Sequence, residues 1–187
     1  MPKRKCKTCK EYVSEFIKLP AGVFCNMDHA IEFANAKAKK TKEKAFKAET
    51  RARKEKAKSV SDWCGDLQAV VNKYVRLRDA KEGCISCDKP SSWGGQWHCS
   101  HYFSRGHSSS LRFNLWNMHK SCSVCNSHLS GNIEQYTPRL IEKIGDDRYQ
   151  FLVERKSDVA RYEIDYLKRA IKVARKAVKR LERRVEA

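Results

Sequence analysis

Cys84-Ile-Ser-Cys87 and, 34 residues further on, Cys122-Ser-Val-Cys125-Asn126 are the segments whose reading decides the fold of this chain. A C-x2-C turn aims two thiolates at one point, each about 2.3 Å from a tetrahedral ion. Two such turns close a four-thiolate site with no open position, the pattern of a structural zinc. The ion would supply folding energy to a stretch rich in His, Cys, Asn and Ser and weak in apolar side chains. Between the turns, Gln96-Trp97-His98-Cys99-Ser100-His101-Tyr102 alternates in polarity as a β-hairpin strand does. The long interval leaves room for that hairpin.

Working outward, the 187 residues suit one domain, or one small domain with appendages. No apolar run approaches the roughly 18 residues of a membrane span. The opening Met-Pro-Lys-Arg-Lys-Cys has the charge of a signal peptide but no apolar stretch behind it, so a cytoplasmic location is expected. There the thiols stay reduced, and nine cysteines read as metal ligands rather than disulfides. The 40 Lys+Arg outweigh 22 Asp+Glu for a net charge of +18, which implies a polyanionic partner. Residues 1–60 carry +10 of it, residues 61–135 only +2 and residues 136–187 the remaining +6. Two basic flanks thus surround a nearly neutral, ligand-rich centre.

Four segments follow from this pattern. Residues 1–30 form an N-terminal zinc knuckle, with Cys6, Cys9, Cys25 and His29 as a second ligand set and a helix starting at His29. Residues 31–60 are a basic helical linker, rich in Ala, Lys and Glu and free of Gly and Pro. Residues 61–135 are the core: Ser61 or Asp62 caps a helix with Trp63, Leu67, Val70, Val71, Tyr74 and Val75 on one stripe, and the four-cysteine frame follows. Residues 136–187 are basic helices, one short with Pro138 in its first turn and an end near Gly145, one long from about Asp158.

In that last helix Ile164, Leu167, Ile171, Ala174, Val178, Leu181 and Val185 make a heptad seam. The seam serves either packing on its own domain or a homodimer contact. Lys168, Lys172, Arg175 and Lys179 lie off it, and with Arg105, Arg112 and Lys120 of the core they are the candidate nucleic-acid contacts. Residues 37–58 add eleven more Lys+Arg. Contacts to phosphate carry no sequence information, so binding should be salt-sensitive and selective for shape.

The arrangement of His101, Asn117 and Asn126 around the second cysteine pair resembles the ββα-metal, or HNH, nuclease motif. More specifically, Cys84-Ile-Ser-Cys87, Gln96-Trp97, His101-Tyr102, Leu111-Arg112-Phe113-Asn114 and Cys125-Asn126-Ser127-His128-Leu129-Ser130-Gly131-Asn132 resemble the phage lambda NinG family of recombination endonucleases. The likeness runs over most of the chain. It implies an α+β fold: a zinc-pinned HNH core flanked by long basic helices and an N-terminal zinc knuckle. It implies a junction-specific endodeoxyribonuclease acting on branched DNA (a Holliday junction or D-loop) by a one-metal mechanism, in the host cytoplasm if phage-encoded.

The roles carry over residue by residue. His101 is the general base, since a neutral imidazole can take a proton from water near neutral pH. Asn117 braces the active loop, and Asn126 ligates a catalytic divalent ion (Mg²⁺ or Mn²⁺) unless it serves as a helix N-cap. Many HNH enzymes place an acid or a second histidine immediately before the base; here that position is Ser100. His98 is the nearest strong ligand, and as an imidazole it would favour Mn²⁺ or a later ion over Mg²⁺. The rival readings are a non-catalytic zinc-stabilised nucleic-acid-binding module and an adaptor that uses its C-terminal coil.

Overall fold

The structure is a computed structural model that describes residues 3–185. The chain divides into two compact units, Met1–Lys58 and Ser59–Ala187. No helix among the described residues is long and apolar enough to cross a membrane.

In the first unit, two short antiparallel hairpins precede a helix. Strands β1 (Arg4–Lys5) and β2 (Tyr12–Val13) flank the Cys6–Cys9 turn, and β3 (Ile17–Leu19) pairs with β4 (Gly22–Phe24). Helix α1 runs Met27–Lys56 and starts earlier than His29, because the Asn26 side chain caps it by accepting from the His29 amide at 2.8 Å. Phe24, Ala30 and Cys6 form the small core. Beyond its first turns α1 is exposed on every side, as its scarcity of large apolar residues predicts.

The second unit begins with α2 (Val60–Arg78). Its cap is Ser59 rather than Ser61 or Asp62. Ser59 Oγ accepts from the Asp62 amide, while the Asp62 carboxylate accepts from the Ser59 amide at 2.8 Å, a reciprocal capping box. Strand β5 (Trp97–His101) pairs antiparallel with β6 (Met118–Cys122), setting His101 opposite Met118 and Trp97 opposite Cys122. A single wide helical turn covers Val124–His128. Helix α3 spans Ile133–Ile144, so Pro138 lies inside it rather than in its first turn, and Gly145 at φ 83° ends it. A further helix, α4 (Asp146–Arg155), follows at once where the sequence signalled none, anchored by the fully buried Leu152. Helix α5 spans Ile164–Val185, starting six residues later than expected.

Residues 61–135 and 136–187 are not separate layers. Leu167 and Ile171 of α5 join Trp63, Cys64, Leu67, Val71 and Val75 of α2 and Met118 of β6 in one core. From Ile164 to Ala174 the heptad seam packs inside the chain, where Leu167 is fully buried; the side chain of Val185 lies outside the described residues. A second core joins Ile85 and Leu111 to Tyr136, Leu140, Ile144 and Leu152 of α3 and α4. Between these cores runs a buried ionic node. Arg78 donates through Nε and Nη2 to both oxygens of Asp79 at 2.6 and 2.8 Å, and Lys143 lies 3.4 Å from the same carboxylate. Burial alone would raise the Asp79 pKa, but these cations hold it below the ordinary carboxylate range.

Candidate functional site

Both ligand sets converge. Cys84, Cys87, Cys122 and Cys125 bring their sulfurs within 4.8 Å of one another, as do the ligand atoms of Cys6, Cys9, Cys25 and His29. Bonds of about 2.3 Å to a tetrahedral ion imply sulfur–sulfur edges of about 3.8 Å. Cys87–Cys122, Cys9–Cys25 and Cys6–Cys25 each stand 3.8 Å apart. His29 turns Nδ1 toward its thiolates, 2.7 Å from Cys25 and 3.7 Å from Cys6. Amides support the four-cysteine set: those of Ser86 and Cys122 donate to Cys84 Sγ, and that of Cys125 donates to Cys122 Sγ. The donor types, count and spacing fit structural zinc at both places.

Beside the four-cysteine frame lies a cleft of about 520 Å³, lined by His98, Ser100 and His101 of β5, Arg105 of the following loop, Asn126 of the wide turn, and Asn72 and Arg76 of α2 among others. Side chains alternate along a strand, so Cys99 and His101 share one face of β5 and His98 takes the other. On the first face Cys99 packs against the α2 core and His101 approaches Gln68. On the second, His98 Nδ1 accepts from Asn126 Nδ2 at 3.2 Å. Asn126 lies inside the Val124–His128 turn and does not cap a helix.

His101 is held in one tautomer. Its Nε2 donates to the backbone carbonyl of Arg112 at 3.0 Å, and a carbonyl can only accept, so Nδ1 carries the lone pair. Burial, aided by the nearby Arg105 and Arg112 cations, pushes its pKa down to about 4 against the weaker opposing pull of that hydrogen bond. The imidazole is neutral throughout the physiological range.

Asn117 is fully buried and fastens the loop after β5 at three points. Its Oδ1 accepts from the Phe103 amide at 2.8 Å, and its Nδ2 donates to the carbonyls of Phe103 and Leu111 at 3.0 and 3.1 Å. His119 is also buried, donating from Nε2 to the Trp116 carbonyl and receiving Arg78 at Nδ1. Its pKa, too, is pushed down to about 4, chiefly by burial. Both His107 and His128 are exposed.

The candidate nucleic-acid contacts divide. Arg105, Lys168, Lys172, Arg175 and Lys179 are exposed. Arg112 is half-buried, its Nε donating to Gln68. Lys120 is not available to a ligand: it is 3% exposed, donates to the Ala80 carbonyl at 3.0 Å and lies over the Trp97 ring. Its position opposite Cys99 in the hairpin turns it into the protein.

Gln68, Asn72 and Arg76, which the sequence reading passed over, form a polar ladder at four-residue spacing beside the apolar stripe of α2. Gln68 donates to Asn72 Oδ1 and accepts from Arg112. The signal was the spacing itself, polar residues recurring on a helical face that a purely solvated surface would not require.

The family model described as bacteriophage lambda NinG protein matches residues 1–186 of this chain. This chain belongs to the NinG family. Its relatives include the NinG proteins of Escherichia phage 933W, 35% identical over 159 residues, and of Escherichia phage lambda, 34% identical over 164; each match covers 78% of this chain and 77% of the relative. NinG of Salmonella phage P22 is 34% identical over 162 residues, covering 76% of each chain. No solved structure matches. This NinG-family chain sets two thiolate-rich clusters in its fold and a polar cleft beside the second of them.

Proposed function

We propose that this protein is a structure-specific HNH-type endodeoxyribonuclease that hydrolyses phosphodiester bonds in branched recombination intermediates, such as a Holliday junction or D-loop, with one catalytic divalent ion. The observation that carries this reading is the setting of His101: fixed tautomer, neutral imidazole, and a place in the same cleft as His98 and Asn126. Hairpin β5–β6 followed by the wide turn supplies the strand–strand–helix order of that superfamily.

In this reading Nδ1 of His101 accepts the proton of the attacking water while the Arg112 carbonyl keeps the ring from turning. His98 and Asn126 would hold the divalent ion; a half-turn of the Asn126 amide places its oxygen, the ligating atom, beside His98 Nδ1. When bound, the ion neutralises charge gathering on the phosphate and the leaving 3′ oxygen. Asn117 fixes the loop that carries Arg105 into the cleft. The exposed cations of α5 and α1 hold phosphate without reading bases, which suits recognition by shape. The host cytoplasm is where such a reaction would take place.

Incubating the zinc-loaded protein with a synthetic four-way junction, a fork and a plain duplex, under Mg²⁺ and under Mn²⁺, tests the reading. The expected result is cleavage of branched substrates, faster with Mn²⁺, and its loss in His101→Ala with binding retained. Binding without cleavage of any substrate by the wild type would instead identify a non-catalytic zinc-stabilised module.

A further inference from the structure

Among the described residues, none that lines the cleft carries a carboxylate. Its lining includes Arg76, His98, Cys99, His101, Arg105 and Asn126. Hard divalent ions are ordinarily held by acidic oxygens, and a preformed acidic cluster is what lets an enzyme load its ion before its substrate. Here the charged side chains are two guanidinium groups. Among the described residues, the side chain of neither Arg76 nor Arg105 makes a hydrogen bond or an ion pair, although Arg76 is half-buried. Both act electrostatically on Cys99 at the floor, and Arg105 acts on His101 as well.

An arginine left unpaired in a recess is a strong site for phosphate, which its planar fork matches with two parallel hydrogen bonds. The same pair of positive charges opposes a free dication. A phosphodiester placed there reverses the balance: it lowers the local positive charge, and its non-bridging oxygen provides the hard ligand that His98 and Asn126 lack.

We propose that the cleft is completed by its substrate, with Arg76 of α2 and Arg105 of the loop seating the phosphodiester first and the divalent ion entering only afterwards, between that phosphate and His98 and Asn126. This rests on the nuclease reading for the identity of the cleft. It adds an anchor, Arg76, on an element outside the zinc-framed hairpin, and it fixes an order of binding.

The test uses full-length, zinc-loaded His101→Ala protein, so that DNA stays intact, and follows free Mn²⁺ by electron paramagnetic resonance with a four-way junction alone as the reference. We expect Mn²⁺ affinity to rise at least about tenfold when protein and junction are present together, over protein alone and over junction alone. Junction binding without added divalent ion should persist, and adding Arg76→Gln should abolish the Mn²⁺ gain. It should also lower the slope of log affinity against log salt by about 0.9, the loss of one phosphate contact. Arg76→Lys should restore the slope, because it keeps the charge; this keeps the test decisive if the glutamine variant loses its zinc or its cooperative melt. Equal Mn²⁺ affinity with and without DNA, or an unchanged salt slope in a folded Arg76→Gln protein, overturns the proposal. Both readouts are of binding, so a wild-type protein that cleaves nothing would defeat the nuclease reading without deciding this one.

Discussion

His101 donates its Nε2 proton to the carbonyl of Arg112 across 3.0 Å, and this one bond joins the strand that presents the imidazole to the loop that encloses the cleft. Its partner is a backbone atom, so no substitution of the Arg112 side chain removes it directly. The bond orients Nδ1, while burial keeps the ring uncharged.

A pH profile of cleavage follows from this. A base must be deprotonated to act, and half of His101 is protonated only near pH 4. The acid limb of kcat/KM should therefore lie well below the 6.5 of a solvated histidine, leaving the rate level from about pH 8 down to about pH 5.5. Arg105→Gln removes one of the cations that depress the pKa and should move the limb upward. An acid limb near 6.5 in the wild type would show that the ring is solvated when it works.

Lys120 provides a contrast among the basic residues. Replacing Lys120 by Met removes its bond to Ala80 and its place over Trp97 but no accessible charge. The salt slope of DNA binding should stay unchanged while stability falls by about 1–2 kcal/mol in urea denaturation. The double change Lys172→Gln, Lys179→Gln on α5 should do the opposite, flattening the slope by up to about 1.8 with no loss of stability.

The two ligand sets were legible in the sequence because metal geometry restricts ligand spacing more tightly than packing restricts a core: Cys84 to Cys87 and Cys122 to Cys125 each span one tight turn, and the thiols meet. Strand β5 was legible from its alternation, and the Gly145 stop from the conformation only glycine accepts readily. Lys120 was misplaced because composition does not say which face of a strand a charge occupies; the register of β6 against β5, which sets Lys120 opposite Cys99, does. Helix α4 was missed because the apolar residues of Asp146–Arg155 are bunched at Tyr149–Val153 without a helical repeat, and tertiary packing of Tyr149, Phe151 and Leu152 fixes it. Arg76 escaped notice because it lies on a helix 22 positions before His98, and only folding brings the two to one cleft.

The use of the α5 seam gives a prediction about association. Leu167 is fully buried against α2 within one chain. Leu167→Ala should cost about 2–5 kcal/mol, the usual range for a large-to-small change in a core, with a melting midpoint independent of protein concentration. If the stripe instead joined two chains, the midpoint of the wild type would rise with concentration and the variant would dissociate.

Two separate thiolate clusters set in two separate cores predict divisible metal content. The wild-type protein should contain two zinc ions per chain. Cys6→Ser should lose one and melt the hairpins of the first unit, whose core is little more than Cys6, Phe24 and Ala30, while the transition of residues 59–185 stays in place. Cys122→Ser should behave differently. Its sulfur closes the second site, its amide supports Cys84, and its residue pairs with Trp97 at the base of the hairpin that carries His98 and His101. Loss of that ion should therefore abolish cleavage and lower the second unit's melting transition, because zinc binding contributes directly to the folding free energy of the hairpin. Adding chelator to the wild type should reproduce both effects. Zinc analysis alongside two-transition calorimetry distinguishes them, and a single transition lost equally in both variants would mean that the two units fold as one.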